Sequence, residues 1–278
     1  MKRIFEVIGL LSLVCFSFFM TEKTVTVVKN MDDIMIEIKS NYKKYQTDSK
    51  DAIIKDNTII PGISGRKVNI NKSYKAMKEN GLYSEDLYVY DLIKPKISKV
   101  DNKDKVIISG NKTKRLVSLI FILNDDSDIK NLLNILDKNE IKATFFVTEN
   151  WVTKNNYTLI DLIEQKNTIG NLGDNQNYKD SAFNWMDTII KKVGKQKEGY
   201  CLYKNDNNIK YCQLLDNYTV NPIIIDDSYL LNVKKNLTNG GMIALKHSKN
   251  MEKELETIIK YIKSRGYNIV NLETTLSE

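Results

Sequence analysis

The stretch Ile141–Val147, IKATFFV, limits what this chain can fold into. Lys142 apart, its side chains are apolar, β-branched or aromatic, the pattern of a short strand buried on both faces. A second such run, Leu116–Leu123 (LVSLIFIL), lies ahead of it. Between them Ile129, Leu132, Leu133 and Leu136 fall on one helical face, with Ser127 as the expected N-cap. A helical pattern at Leu159–Ile163 and the segment Thr168-Ile169-Gly170-Asn171 follow. Strand, helix, strand, helix, strand is the order of a parallel sheet covered by helices.

The rhythm continues to the end of the chain. Ala182, Trp185, Met186, Ile189, Ile190 and Val193 form a helical stripe closed by Gly194, and Leu255, Ile258, Ile259 and Ile262 form another within Met251–Ser264. Strand-like pieces fall at Tyr200–Tyr203, Val220–Ile225, Met242–Leu245 and Tyr267–Leu272. Upstream, residues 52–110 read as a small α+β module. It has a turn at Pro61-Gly62, a helix over Asn71–Asn80 stopped by Gly81, and strand-like pieces at Leu87–Tyr90, Lys96–Ser98 and Lys105–Ser109. Residues 21–51 read as a helix capped by Asn30, either a juxtamembrane stalk or packed on the body, and a linker. Residues 1–20 carry Lys2 and Arg3 before the apolar run 4–20, a targeting pattern of near-minimal spanning length without a clear cleavage site. The expectation is a single-pass membrane anchor with the body outside the cytoplasm; the alternative is a cleaved signal and a secreted body.

The net charge of +7 suits anionic partners, but only four arginines occur and no basic run is interleaved with aromatics, so nucleic acid is not expected as a partner. The chain has a single histidine, His247, which excludes a metal site built from two or three imidazoles within one chain.

Leu116–Leu123, KATFFV, IGN and Gly241–His247 together resemble, in order and spacing, the polysaccharide deacetylase family (the NodB-homology domain). The resemblance runs over roughly residues 115–276. It implies an irregular (β/α) barrel over 111–278, with its active site at the C-terminal ends of the strands. It also implies removal of acetyl groups from an amino-sugar polymer such as peptidoglycan, through a divalent metal, usually zinc, a carboxylate base and a histidine acid. Carried over residue by residue, the base and the aspartate ligand fall on Ile122 and Leu123, and the two histidine ligands on Leu172 and Gln176. The region of the orienting arginine reads Gly199–Tyr203 and holds no arginine. Only the acid position survives, as His247.

No metal is therefore expected, and the chain reads as a pseudoenzyme of the cell envelope that binds a glycan or a protein partner. The alternative is a divergent zinc-dependent deacetylase using carboxylates near the strand ends: Asp125, Asp126, Asp174 and Asp226. Those aspartates read equally as ordinary turn and cap residues. Cys201 and Cys212 could form a disulfide or stand as neighbouring core thiols.

Overall fold

The computed structural model describes residues 11, 14–17, 20–21, 23, 26–174, 177–179 and 181–278. The expected anchor, residues 4–20, lies largely outside them. Among the described residues no helix is long and apolar enough to cross a membrane. The strands are β1 (Ile53–Lys55), β2 (Thr58–Ile60), β3 (Gly65–Val68), β4 (Tyr90–Ile93) and β5 (Val106–Ile107). Then follow β6 (Leu116–Ile122), β7 (Thr144–Val147), β8 (Thr168–Asn171) and β9 (Tyr200–Leu202). The last are β10 (Tyr218–Val220), β11 (Ile223–Ile225), β12 (Gly241–Lys246) and β13 (Asn268–Val270).

The chain divides into two units, Met1–Ser49 with Ser64–Ile93, and Lys50–Ile63 with Lys94–Glu278. In the first, helices Asp33–Asn41 and Ile70–Asn80 and the antiparallel pair β3–β4 enclose Ile38, Val68, Met77 and Tyr88. Tyr45 packs on Tyr88 with ring centroids 4.7 Å apart. Of the two alternatives for this helix, packing is the one observed: it belongs to a small core. Its cap is Asp32, whose carboxylate accepts from the Ile34 amide, rather than Asn30. Gly81, at φ 80°, ends the second helix as its sequence implied.

Residues 52–110 do not stand as one module. Residues 64–93 belong to the first unit, whereas β1, β2 and β5 join the large sheet of the second, ordered β1-β2-β5-β10-β9-β8-β7-β6-β12-β11 with β13 on β6. The reason is burial: Ile59, Val106 and Ile107 are covered because β5 runs parallel to β10 on one side and to β2 on the other. All pairings in this sheet are parallel except β1–β2. Lys96–Ser98 forms no strand. Val220–Ile225 divides into β10 and β11, because Pro222 has no amide hydrogen to continue a ladder.

Side chains alternate between the two faces of the sheet. Val117, Leu119, Phe121, Phe145, Val147, Ile169, Ile243 and Leu245 pack beneath the helices, where Leu132, Leu136, Leu162, Leu255 and Ile258 meet them. Ile59, Ile107, Ile120, Ile122, Phe146, Leu172, Leu202, Val220, Met242 and Ala244 form a second cluster on the opposite face. Strands far apart in the sheet order share that cluster, so the sheet curls into an incomplete barrel. Leu272 and Leu276 enter the same cluster from the helix Leu272–Thr275, and the Leu272 amide donates to Thr144 Oγ1 at 2.8 Å. In the register, Ile122 stands beside Phe146 and Phe146 beside Gly170. A Cβ on Gly170 would lie 2.4 Å from the Phe146 ring, so only glycine leaves that ring its place inside the barrel.

Two local expectations change. The Ser127 hydroxyl accepts from the Asn124 amide at 2.9 Å and closes a turn, while the helix starts later, at Lys130, with Ile129 at its cap. The Ala182–Val193 stripe is α-helical only over Ser181–Thr188. It widens into a π turn over Ile189–Val193, where the Gly194 amide reaches back five residues to the Ile189 carbonyl.

Cys201 on β9 and Cys212 on the helix Asp206–Leu214 are joined by a disulfide and fully buried beside Tyr178 and Phe183. Replacing both by alanine is expected to lower unfolding stability by about 2–3 kcal/mol, the usual effect of opening a loop of this length. The shift is read from urea midpoints without reductant; an unchanged midpoint would mean that packing alone holds this corner.

Candidate functional site

The landmarks taken from the sequence meet at one end of the barrel. β12, β6, β7 and β8 are neighbours in parallel register, Lys246 beside Ile122, Ile122 beside Phe146, and Val147 beside Asn171. The residues just past these strands are drawn in by main-chain bonds. The His247 amide donates to the Ile122 carbonyl, Leu123 to Phe146 and Leu172 to Val147, each at 3.0 Å.

What stands at that end is largely apolar. Ile122 and Leu172 are buried in the inner cluster with Phe146 and Leu202, and Leu123 is buried in the outer one. Gln176 lies outside the described residues. Asn171, fully buried, holds the turn after β8: its side-chain amide donates to the Phe183 carbonyl and its oxygen accepts from the Gly173 amide. Tyr178 follows in the same loop, stacked on Phe183, and its hydroxyl donates to the Leu202 carbonyl at 3.0 Å. Burial pushes the Tyr178 phenol well above its ordinary pKa, so it serves as a neutral donor.

His247 faces elsewhere. It lines a cleft of about 570 Å³ with Asn124, Asp126, Asp128, Asn131, Ser248 and Glu252, and none of the positions 122, 123 or 172 lines it. Its Nε2 lies 2.8 Å from Glu252 Oε1, while the other Glu252 oxygen accepts from Asn131 at 2.9 Å. The histidine is thereby tied to the first turn of the helix Lys249–Ser264 and, through Asn131, to the helix Lys130–Lys138. Glu252 and Asn131 were not singled out in the sequence. A carboxylate five residues past the lone histidine, just after the cap Ser248, was the available signal for the first; nothing local marks the second.

The aspartates are dispersed. Asp125 accepts from Thr148 and Asn150, at 2.5 and 3.1 Å. Asp126 pairs with Lys154 at 2.9 Å, Asp226 with Lys246 at 3.5 Å, and Asp174 forms a bridge with Asn177 in the turn after Gly173. Only Asp126 shares the His247 cleft; Asp226 lines a separate one with Asp227, Tyr229 and Glu254. Among the described residues no three histidine, cysteine or acidic side chains come together in a way that could hold a metal ion.

Residues 109–203 match the family model described as polysaccharide deacetylase. Over that stretch the chain carries a polysaccharide-deacetylase-like domain. A curated relative, the uncharacterized protein YlxY of Bacillus subtilis strain 168, is 34% identical over 154 residues, which is 55% of this chain and 48% of the relative. The chain thus spans about half the length of that relative. Among solved structures, wild-type BA3943, described as a CE4 family pseudoenzyme from Bacillus anthracis, aligns with a TM-score of 0.65 and 20% identity, over 89% of this chain and 96% of its own. A BA3943 mutant described as having restored enzymatic activity aligns with a TM-score of 0.65 and 21% identity, over 89% and 99%. PdaA of Bacillus subtilis, a family 4 carbohydrate esterase, aligns with a TM-score of 0.53 and 18% identity, over 63% and 86%. At these identities the structures speak for the fold, the deacetylase barrel.

Against that fold the ligand positions are plain. At the positions that the resemblance assigns to the base and ligands, Ile122, Leu123 and Leu172 offer only carbon to a metal, and Ile122 and Leu172 are buried in one apolar cluster. The residues do not fit the metal, and no metal-dependent step follows from them.

Proposed function

We propose that this chain is a deacetylase-like pseudoenzyme of the cell envelope, one that engages an amino-sugar polymer such as peptidoglycan without hydrolysing it. The observation that supports this reading is the burial of Ile122 and Leu172 in one apolar cluster, where the family resemblance would put a base and a metal ligand. A lone acid at His247 accelerates a reaction by roughly 10²–10⁴-fold, against the 10⁶-fold or more of enzymes in general. With its Nε2 committed to Glu252, the histidine acts here as a strut between two helices. The buried disulfide suits a body outside the cytoplasm, held by residues 4–20 or released. An envelope protein is the other partner class that such a barrel face would serve.

The test is acetate release from peptidoglycan and N-acetylglucosamine oligomers by the full chain, with and without added zinc, beside an active family member. No release is expected, together with co-sedimentation of the protein with insoluble peptidoglycan. Chelator-sensitive acetate release, lost in His247→Ala, would instead establish a divergent deacetylase using His247 with Asp125, Asp126, Asp174 or Asp226. Absence of both release and sedimentation would remove the glycan and turn the search to proteins.

A further inference from the structure

Asparagine followed by glycine occurs twice in the sequence, at Asn80-Gly81 and Asn239-Gly240. The pair is chemically special because glycine has no side chain to shield its amide nitrogen from the preceding side chain. We propose that Asn80 is a site of spontaneous deamidation and backbone isomerisation, and that Asn239 is protected from the same chemistry by its surroundings.

The two sites differ in burial and in what holds the asparagine side chain. Asn80 is exposed at the last position of the helix Ile70–Asn80, and no hydrogen bond holds its side chain among the described residues. Gly81 lies in the left-handed region at φ 80°, and nothing stands within 4 Å of where a Cβ would be. One bond restrains its amide, to the Lys78 carbonyl at 3.2 Å, in the last turn of a helix, where opening is easiest. At the second pair the Asn239 amide donates to the Lys112 carbonyl at 2.9 Å, and the Gly240 amide to Leu116 at 2.9 Å. Gly240 is buried, with the Gly110 carbonyl oxygen 2.3 Å from its would-be Cβ.

The step needs only hydroxide and water. Hydroxide removes the Gly81 amide proton, and the nitrogen attacks Cγ of Asn80. The bond from Cγ to the side-chain nitrogen breaks, ammonia leaves, and a five-membered succinimide joins residues 80 and 81. Water then opens the ring at either carbonyl. One opening leaves an ordinary aspartate at position 80, the other an isoaspartate in which the main chain runs through the former side chain. Either product places a carboxylate at the C-terminal end of a helix, where the dipole opposes it. The isoaspartate also lengthens the backbone at the Gly81 cap. Lys78 in that last turn pairs with Asp32, the cap of the helix Asp33–Asn41, so the change falls where the two helices of the first unit are joined.

The experiment is incubation of the full chain at mildly alkaline pH, with isoaspartate and aspartate at each site followed by peptide mass spectrometry and isoaspartyl methyltransferase labelling. Conversion at residue 80 is expected to outpace that at 239 by at least roughly tenfold, because two hydrogen bonds must open first at the latter. Asn80→Gln should abolish the fast phase, and in denaturing urea the two sites should react at similar rates. Equal rates in the native protein would overturn the proposal. So would a ratio that survives urea, or no conversion at 80 while an unstructured peptide spanning residues 78–83 converts completely.

Discussion

Ile122→Asp is expected to cost about 3 kcal/mol of unfolding stability, seen as a large drop in the urea midpoint. Ile122 is 9% exposed, beside Phe146 in register and in one cluster with Leu172 and Leu202. An aspartate there gives up the burial of a full aliphatic side chain and brings in a carboxyl group without a partner. In an active deacetylase, as the resemblance implies, such a carboxylate would have an arginine and a metal beside it; here Ile122 shares its cluster with Phe146, Leu172 and Leu202. Ile122→Leu, which keeps the volume, should cost less than about 1.5 kcal/mol. If the aspartate variant unfolds with the wild type, the barrel end is wet and the apolar reading of the site is wrong.

The second large effect is expected at Lys99. Its side chain is 3% exposed, and its ammonium sits between both oxygens of Glu198, at 2.6 and 2.8 Å, and the face of Tyr218, 4.5 Å from the ring centroid. Lys99→Ala leaves Glu198 with the Tyr200 hydroxyl as its remaining side-chain donor among the described residues. The change should cost about 3 kcal/mol, toward the low end for breaking a buried pair because Glu198 retains some contact with water. Replacing the pair together, Lys99→Met with Glu198→Leu, should recover most of the loss. Urea unfolding of the four proteins in a cycle gives the coupling. A double variant no better than Lys99→Ala would show that the pair is needed for shape rather than for charge balance.

The strands that organise the barrel were legible because each is buried on both faces. Such a strand writes a continuous apolar run, as in LVSLIFI and TFFV, and the helices between them repeat on a 3.6-residue stripe. The residue types at positions 122, 123 and 172 were legible too, since a leucine cannot stand in for a histidine wherever the backbone takes it. Long-range pairing was not. β1, β2 and β5 have two or three residues each, too few for a period to register, and what makes them part of the sheet is a neighbour more than a hundred residues away. The same holds for Lys99 and Glu198, two common residue types that only the fold brings together. His247 shows a third limit. Its place just past β12 follows from the sequence, but the direction of its side chain depends on Glu252 and Asn131, and a motif does not carry direction.

The place of β5 in the sheet has a kinetic consequence. Its neighbours are β2 and β10, and the second of these is Tyr218–Val220. Strands β6 to β9 can pair in the order of synthesis, each with the one before it. The edge built from β1, β2 and β5 must wait until residue 220 exists and the intervening loop has closed, which is the slow kind of contact. A barrel whose first-made strands cannot dock until late ones arrive stays open along one side for a long interval, the condition in which those strands can still be threaded through a narrow channel.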